Sequence, residues 1–210
     1  MNKIIDINTW IRKEHYEFFK DFDDPMFGLT FNVDFTAVYN EAKRTNSSFF
    51  LFSLHKIMQA ANATEEFRYR IEGDDVVCYD VIHASSTVGR PDGTFGFSTM
   101  EYFTDRDTFV SEGSKVVERI KSLTGITFEE QTDRKDVIHY SPMPWIQFTD
   151  LKHPASFGKK FSIPKISTGK LFKEGAALKL PVSVTANHAL MDGYHVARFL
   201  DNLNDLIQAD

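Results

Sequence analysis

Apolar residues recur along this chain at two spacings, and the switches between them mark out its elements. Trp10, Ile11 and Phe18 fall on one side of a helix that Thr9 can cap and that runs to Phe19 or Phe22, before Asp23, Asp24 and Pro25 stop it. Leu29, Phe31, Val33 and Phe35 then alternate with polar neighbours, the period of a half-buried strand over Phe27 to Phe35. A helix capped by Thr36 should reach about Arg44, and Ser47 or Ser48 should open a more apolar one through Phe50, Leu54, Ile57, Met58 and Ala61. From Phe67 to Tyr102 the pattern is β, broken by turns at Glu72-Gly73-Asp74 and Pro91-Asp92-Gly93. Asp105 caps a helix to about Leu123, with Phe109, Val116, Val117 and Ile120 as its buried stripe and Thr124-Gly125 as its stop. Strands follow at Val137 to Ser141, Trp145 to Thr149, Lys165 to Phe172 and Lys179 to Ala186, and a last helix carries Tyr194, Val196, Ala197, Leu200, Leu203 and Ile207.

Elements alternating in this way, with no repeat and no Pro/Gly/Ser-rich linker, describe one α/β domain over residues 1–210, a mixed β-sheet covered by helices. That length suits one sizeable core, to which 20 phenylalanines add aromatic bulk. The net charge of −6 argues against nucleic acid as a partner, since binding a phosphate backbone needs clustered Lys and Arg. The longest apolar stretch, Phe49 to Leu54, is far short of a membrane span, and Met1 to Ile11 lacks a signal-peptide pattern. Cys78 is the only cysteine, which excludes an intrachain disulfide and fits a reducing cytoplasm. Seven histidines show no metal-ligand spacing, so no metal is expected.

The stretch Asn187-His188-Ala189-Leu190-Met191-Asp192-Gly193 lies between the last strand and the last helix. A histidine at a strand end can be presented to a cleft as a base. The heptapeptide alone fits equally well a histidine satisfied by a hydrogen bond beside a loop aspartate. Ser141 by itself reads as a serine closing a strand before a proline turn, Ser167 as a polar strand residue, and Arg12 as a solvated helix charge.

Five ordered blocks change this balance: Asn8 to Phe19, Glu66 to Asp80, Tyr140 to Trp145, Lys165 to Lys170, and the string HALMDGYHVAR from His188 to Arg198. H-x-x-x-D-G after an apolar strand resembles the signature of the CoA-dependent acyltransferases, and the blocks together resemble the chloramphenicol acetyltransferase family over nearly the whole chain. The resemblance implies a two-layer sandwich in the CoA-dependent acyltransferase fold. It implies acetyl-CoA as co-substrate and direct O-acetylation of chloramphenicol or a similar small aromatic alcohol. Homotrimers with sites between subunits are implied too.

Residue by residue, the resemblance makes His188 the general base, a role that suits an imidazole because its ordinary pKa lies near neutrality. Ser141 becomes the hydroxyl that faces the oxyanion, and Ser167 stands where a threonine usually supports the intermediate. Asp192 pairs with Arg12 as structural support rather than carrying a proton, Gly193 lets the chain turn tightly into the last helix, and His195 points away from the site. Three further positions depart from the family pattern: Asn187 replaces a frequent histidine, Phe19 a tyrosine and His139 an asparagine. Phe27, Phe95 and Phe97 can wall an apolar pocket, or simply pack the core. Two further enzyme readings remain: an acyltransferase for an unrelated alcohol, and the core of a 2-oxo acid dehydrogenase complex, for which no lipoyl domain or Ala/Pro-rich linker speaks. A relative that only sequesters a ligand would need neither His188 nor Ser141.

Overall fold

A computed structural model of the chain describes residues 2–126, 134–154 and 161–209. Its main sheet has seven strands, in the order β2 (Met26–Asp34), β10 (Ala177–Asn187), β8 (Lys165–Thr168), β7 (Val137–Pro142), β5 (His83–Gly89) and β6 (Phe95–Met100), with β9 (Phe172–Glu174) pairing the start of β10. β7 runs parallel to both β5 and β8, and the remaining pairs are antiparallel, so the sheet is mixed as expected. A second, three-stranded antiparallel sheet joins β1 (Lys3–Ile4), β4 (Asp75–Cys78) and β3 (Tyr69–Glu72). The β pattern after Phe67 therefore feeds two sheets, not one. Its first residues form a 3-10 turn, Glu65–Arg68, that precedes the split.

Helices cover one face of the main sheet. α3 (Phe49–Ala63) is buried on nearly all sides and packs against α2 (Thr36–Arg44), α4 (Arg106–Ser122) and α5 (Gly193–Gln208). Its Leu51, Leu54, Ile57 and Met58 meet Ile138, Ile166, Val182 and Val184 of the sheet in one core. α4 approaches α3 through Gly113, where an added Cβ would lie 2.8 Å from the Leu51 side chain. Period-two alternation sends Ser85, Thr87, His139, Ser141, Lys165, Ser167, Ser183 and Thr185 to the opposite, polar face of the sheet. None of the helices found among the described residues is long and apolar enough to cross a membrane.

Helix starts agree with the sequence where a cap residue is present. Ser48 accepts from Leu51 N–H and Asp105 from Thr108 N–H. α1 is shorter than expected, Lys13–Phe19, because Thr9 gives its hydroxyl to Asp6 instead of capping a helix. Thr36 likewise sits one residue inside α2, its hydroxyl shared between Asp34 and Leu178 N–H. Trp145 to Thr149 forms no strand, and the segment Lys165 to Phe172 is divided at Gly169. A Cβ there would lie 3.0 Å from the carbonyl of Ile146 and from the Phe148 and Pro181 side chains.

Candidate active site

His188 leaves the end of β10, where Asn187 is the Cα partner of Met26 and His188 N–H donates to the carbonyl of Pro25 at 2.8 Å. The turn that follows is organised by the buried Asn187. Its carbonyl accepts from Leu190 and Met191 N–H, its side-chain oxygen accepts from Ala189 N–H at 2.9 Å, and its side-chain nitrogen donates to the carbonyl of Phe161 at 2.8 Å. The sequence marked Asn187 only as a departure; an Asx-type turn at a strand end was the available signal.

The His188 ring is held by aromatic faces. Phe19 stacks on it at 4.2 Å between centroids and 8° between planes, and Phe27 lies tilted at 4.8 Å. Nδ1 is buried without a hydrogen-bond partner among the described residues, which leaves Nε2 as the nitrogen open to a reacting group. Behind the ring, Arg12 donates to Asp192 Oδ2 at 2.7 Å and to the carbonyl of His188 at 3.3 Å, tying helix α1 to the histidine's own backbone. Burial works against the Asp192 carboxylate, yet the hydrogen bond from Arg12, the nearby His195 and Tyr194 N–H hold its pKa below the ordinary value.

Asp192 also caps α5, and His195 completes the capping box by accepting from Asp192 N–H at 3.1 Å. His195 thus faces Asp192 and Glu66, away from the His188 ring. The expectation for Gly193 needs correction. It is the first residue of α5 and not among the positive-φ glycines, and a Cβ would meet nothing within 4 Å, so the turn is made by the extended Asp192 at φ −140°.

Ser141 lies elsewhere, near the end of β7, where it is the Cα partner of Ser167 on β8. A cavity of about 330 Å³ opens beside it, lined by Thr87, Arg90, Phe95, Ser141, Met143 and Trp145 among others. Phe97 packs edge-on against Phe95 at 5.5 Å. Phe27 does not join them, since β2 and β6 form opposite edges of the sheet; the three phenylalanines do not wall one pocket within a chain. Ser167 Oγ lies 3.4 Å from Nε2 of His153, a residue the sequence reading passed over because its loop carries no motif. His139 shares the Ser141 face two residues earlier.

Within one chain Ser141 and His188 are not brought together. Ser141, Ser167 and Ser183 are aligned across β7, β8 and β10, and His188 lies five residues beyond Ser183. Two strand spacings and that run along β10 put roughly 15–20 Å between the two residues.

Comparisons with known proteins bear on the fold and the family. The family model described as chloramphenicol acetyltransferase matches residues 1–204. Chloramphenicol acetyltransferase 3 of Escherichia coli is 32% identical over 203 residues, covering 96% of this chain and 94% of that protein. Chloramphenicol acetyltransferase 2 of Escherichia coli is 28% identical, with 95% and 93% covered. A solved chloramphenicol acetyltransferase structure superposes with a TM-score of 0.88 at 29% identity, over 99% of this chain and all of the other. The dihydrolipoamide acetyltransferase of Azotobacter vinelandii shares the fold alone, with a TM-score of 0.64 at 16% identity over 87% of this chain and 81% of the other. A family match over nearly the full length, carried through to the three-dimensional fold, means that this chain belongs to the chloramphenicol acetyltransferase family and is an acyltransferase.

Proposed function

We propose that the enzyme transfers acetyl from acetyl-CoA to a hydroxyl of chloramphenicol or a similar small aromatic alcohol, directly and without an acyl-enzyme. His188 Nε2 takes the acceptor's hydroxyl proton as its oxygen attacks the thioester carbon. The oxygen of the tetrahedral intermediate accepts a hydrogen bond from Ser141 Oγ, with Ser167 behind it. Collapse expels the CoA thiolate, which recovers the proton from the imidazolium, and the ester leaves. Arg12 and Asp192 hold the turn that carries the base.

The observation that carries this reading further is the separation of the two residues. Reacting atoms must come within about 3.5 Å, so a competent site needs His188 from one chain and Ser141 from another, as in the closed trimer we infer. Apolar surface beside both residues supports such contacts: Phe18 and Phe22 are exposed and cluster with Phe19 near His188, while Trp145, Ile146 and Phe95 are exposed near Ser141. The co-substrate is an intracellular thioester, and the cytoplasm is the setting we infer.

Steady-state thiol release with acetyl-CoA tests the chemistry, using chloramphenicol and an analogue lacking the acceptor hydroxyl. Acetylation of chloramphenicol alone is expected. No product at saturating acetyl-CoA would overturn chloramphenicol as acceptor, and equal thiol release with the deoxy analogue would overturn O-acetylation.

A further inference from the structure

On the polar face of the sheet, His139 and Lys165 are Cα partners in the parallel pair β7–β8, so their side chains point the same way beside Ser141 and Ser167. His153 joins them from the following loop through its contact with Ser167 Oγ. Three basic side chains and two hydroxyls thus share one patch next to Ser141. Lys165 Nζ donates to the carbonyl of Pro154 at 3.2 Å and lies 5.7 Å over the Phe161 ring, and among the described residues no carboxylate is within ion-pair distance of it. Asp24 acts on it only through the longer-range field, and burial still holds its pKa below the usual lysine value. Burial pushes His139 down to about 4, and the charged groups it feels after that, Lys165, Arg70 and His153, are all basic.

Several other partly buried cations of this chain have acids against them, whereas Arg68 and the fully buried Arg70 donate to backbone carbonyls. Arg134 is paired with Asp136 and Glu101, Arg198 with Glu66, and Lys179 with Asp34. A desolvated ammonium without an acid is costly in isolation and complementary to an anionic ligand. Histidine rings left neutral beside it can offer a hydrogen bond without adding charge. We infer that the acceptor site takes an alcohol that also bears a carboxylate, received by Lys165 with His139 and His153 at its sides. This rests on the reading that Ser141 marks the acyl-transfer centre. The patch lies two residues along the strand from Ser141, about 7 Å, a span one aromatic ring between hydroxyl and carboxylate can bridge. One half-buried charge suits a monoanion better than the multiply charged phosphates of CoA, whose desolvation it could not offset.

The test compares 4-(hydroxymethyl)benzoate with the uncharged 4-(hydroxymethyl)benzamide as acceptors, with chloramphenicol alongside. The carboxylate should be preferred at least about 10-fold in kcat/KM, expressed mainly in KM, and high salt should erode the preference. Lys165→Met should bring the ratio of the two acceptors to within about 2-fold, while Lys165→Arg should keep most of it. Wild-type enzyme gives an independent arm: benzoate should inhibit chloramphenicol acetylation more strongly than benzamide. If chloramphenicol or the amide is acetylated and the carboxylate is no better, the anion site is wrong and the acyl-transfer reading stands. If none of the alcohols is acetylated, both fall. If Lys165→Met raises the KM for acetyl-CoA and leaves the acceptor ratio intact, the lysine serves the coenzyme's phosphates and the proposal is overturned.

Discussion

The His188 ring is located by two phenylalanine faces and by its backbone, and among the described residues its Nδ1 has no hydrogen-bond partner. Removing the imidazole therefore takes away the proposed base and little of the fold. His188→Ala should lower turnover by at least about 100-fold with an unchanged circular dichroism spectrum, and a folded variant with near-normal turnover would strike the residue from the mechanism. Ser141→Ala should cost on the order of 3 kcal/mol of transition-state stabilisation and leave ground-state binding nearly intact. A rise in the Michaelis constants at full turnover would make Ser141 a binding residue instead. Phe19 also gains a second meaning. Where the family resemblance implies a tyrosine, it gives up a hydroxyl but keeps a ring that stacks on His188.

Between elements, Asp192 is the joint that matters most, because one carboxylate both caps α5 and holds Arg12 of the α1 entry. Asp192→Ala should lose the cap, worth about 1 kcal/mol, and strand the buried guanidinium, a further loss on the order of 3 kcal/mol. Asp192→Asn keeps the cap acceptor and should lose only part of this. Equal melting temperatures for the two variants would show that the cap acceptor contributes nothing, and an Asp192→Asn variant as stable as the wild type would show that the ion pair contributes nothing. The same elements show what the sequence could reveal. α3 and α4 were readable because Ser48 and Asp105 announce their starts, and β10 because its long apolar run meets a turn signal at Asn187. The α1 start was hidden because the Thr9 hydroxyl prefers Asp6, and Trp145 to Thr149 misled because its apolar residues lie on the surface rather than on a sheet. The motif named His188 and Asp192, but no local pattern could assemble His139, His153 and Lys165. The register of β7 on β8 brings His139 beside Lys165, and the contact with Ser167 Oγ adds His153.

For the whole molecule, a sheet with helices on one side and hydroxyls and imidazoles on the other directs its chemistry outward from the second face. Four residues of β10 separate the level of Ser141 from the end at which His188 departs. The inferred pairing of each serine with a neighbour's histidine makes catalysis a property of the junction, and a genetic signature follows. His188→Ala chains still supply an intact serine side, and Ser141→Ala chains an intact histidine side. Two preparations that are each nearly inactive should regain activity when unfolded together and refolded as a mixture. In a random closed ring of head-to-tail junctions, about a quarter should receive the intact half from each parent. Recovery near a quarter of the wild-type rate is expected, and no recovery from a mixture shown to form mixed assemblies would return both residues to a single chain.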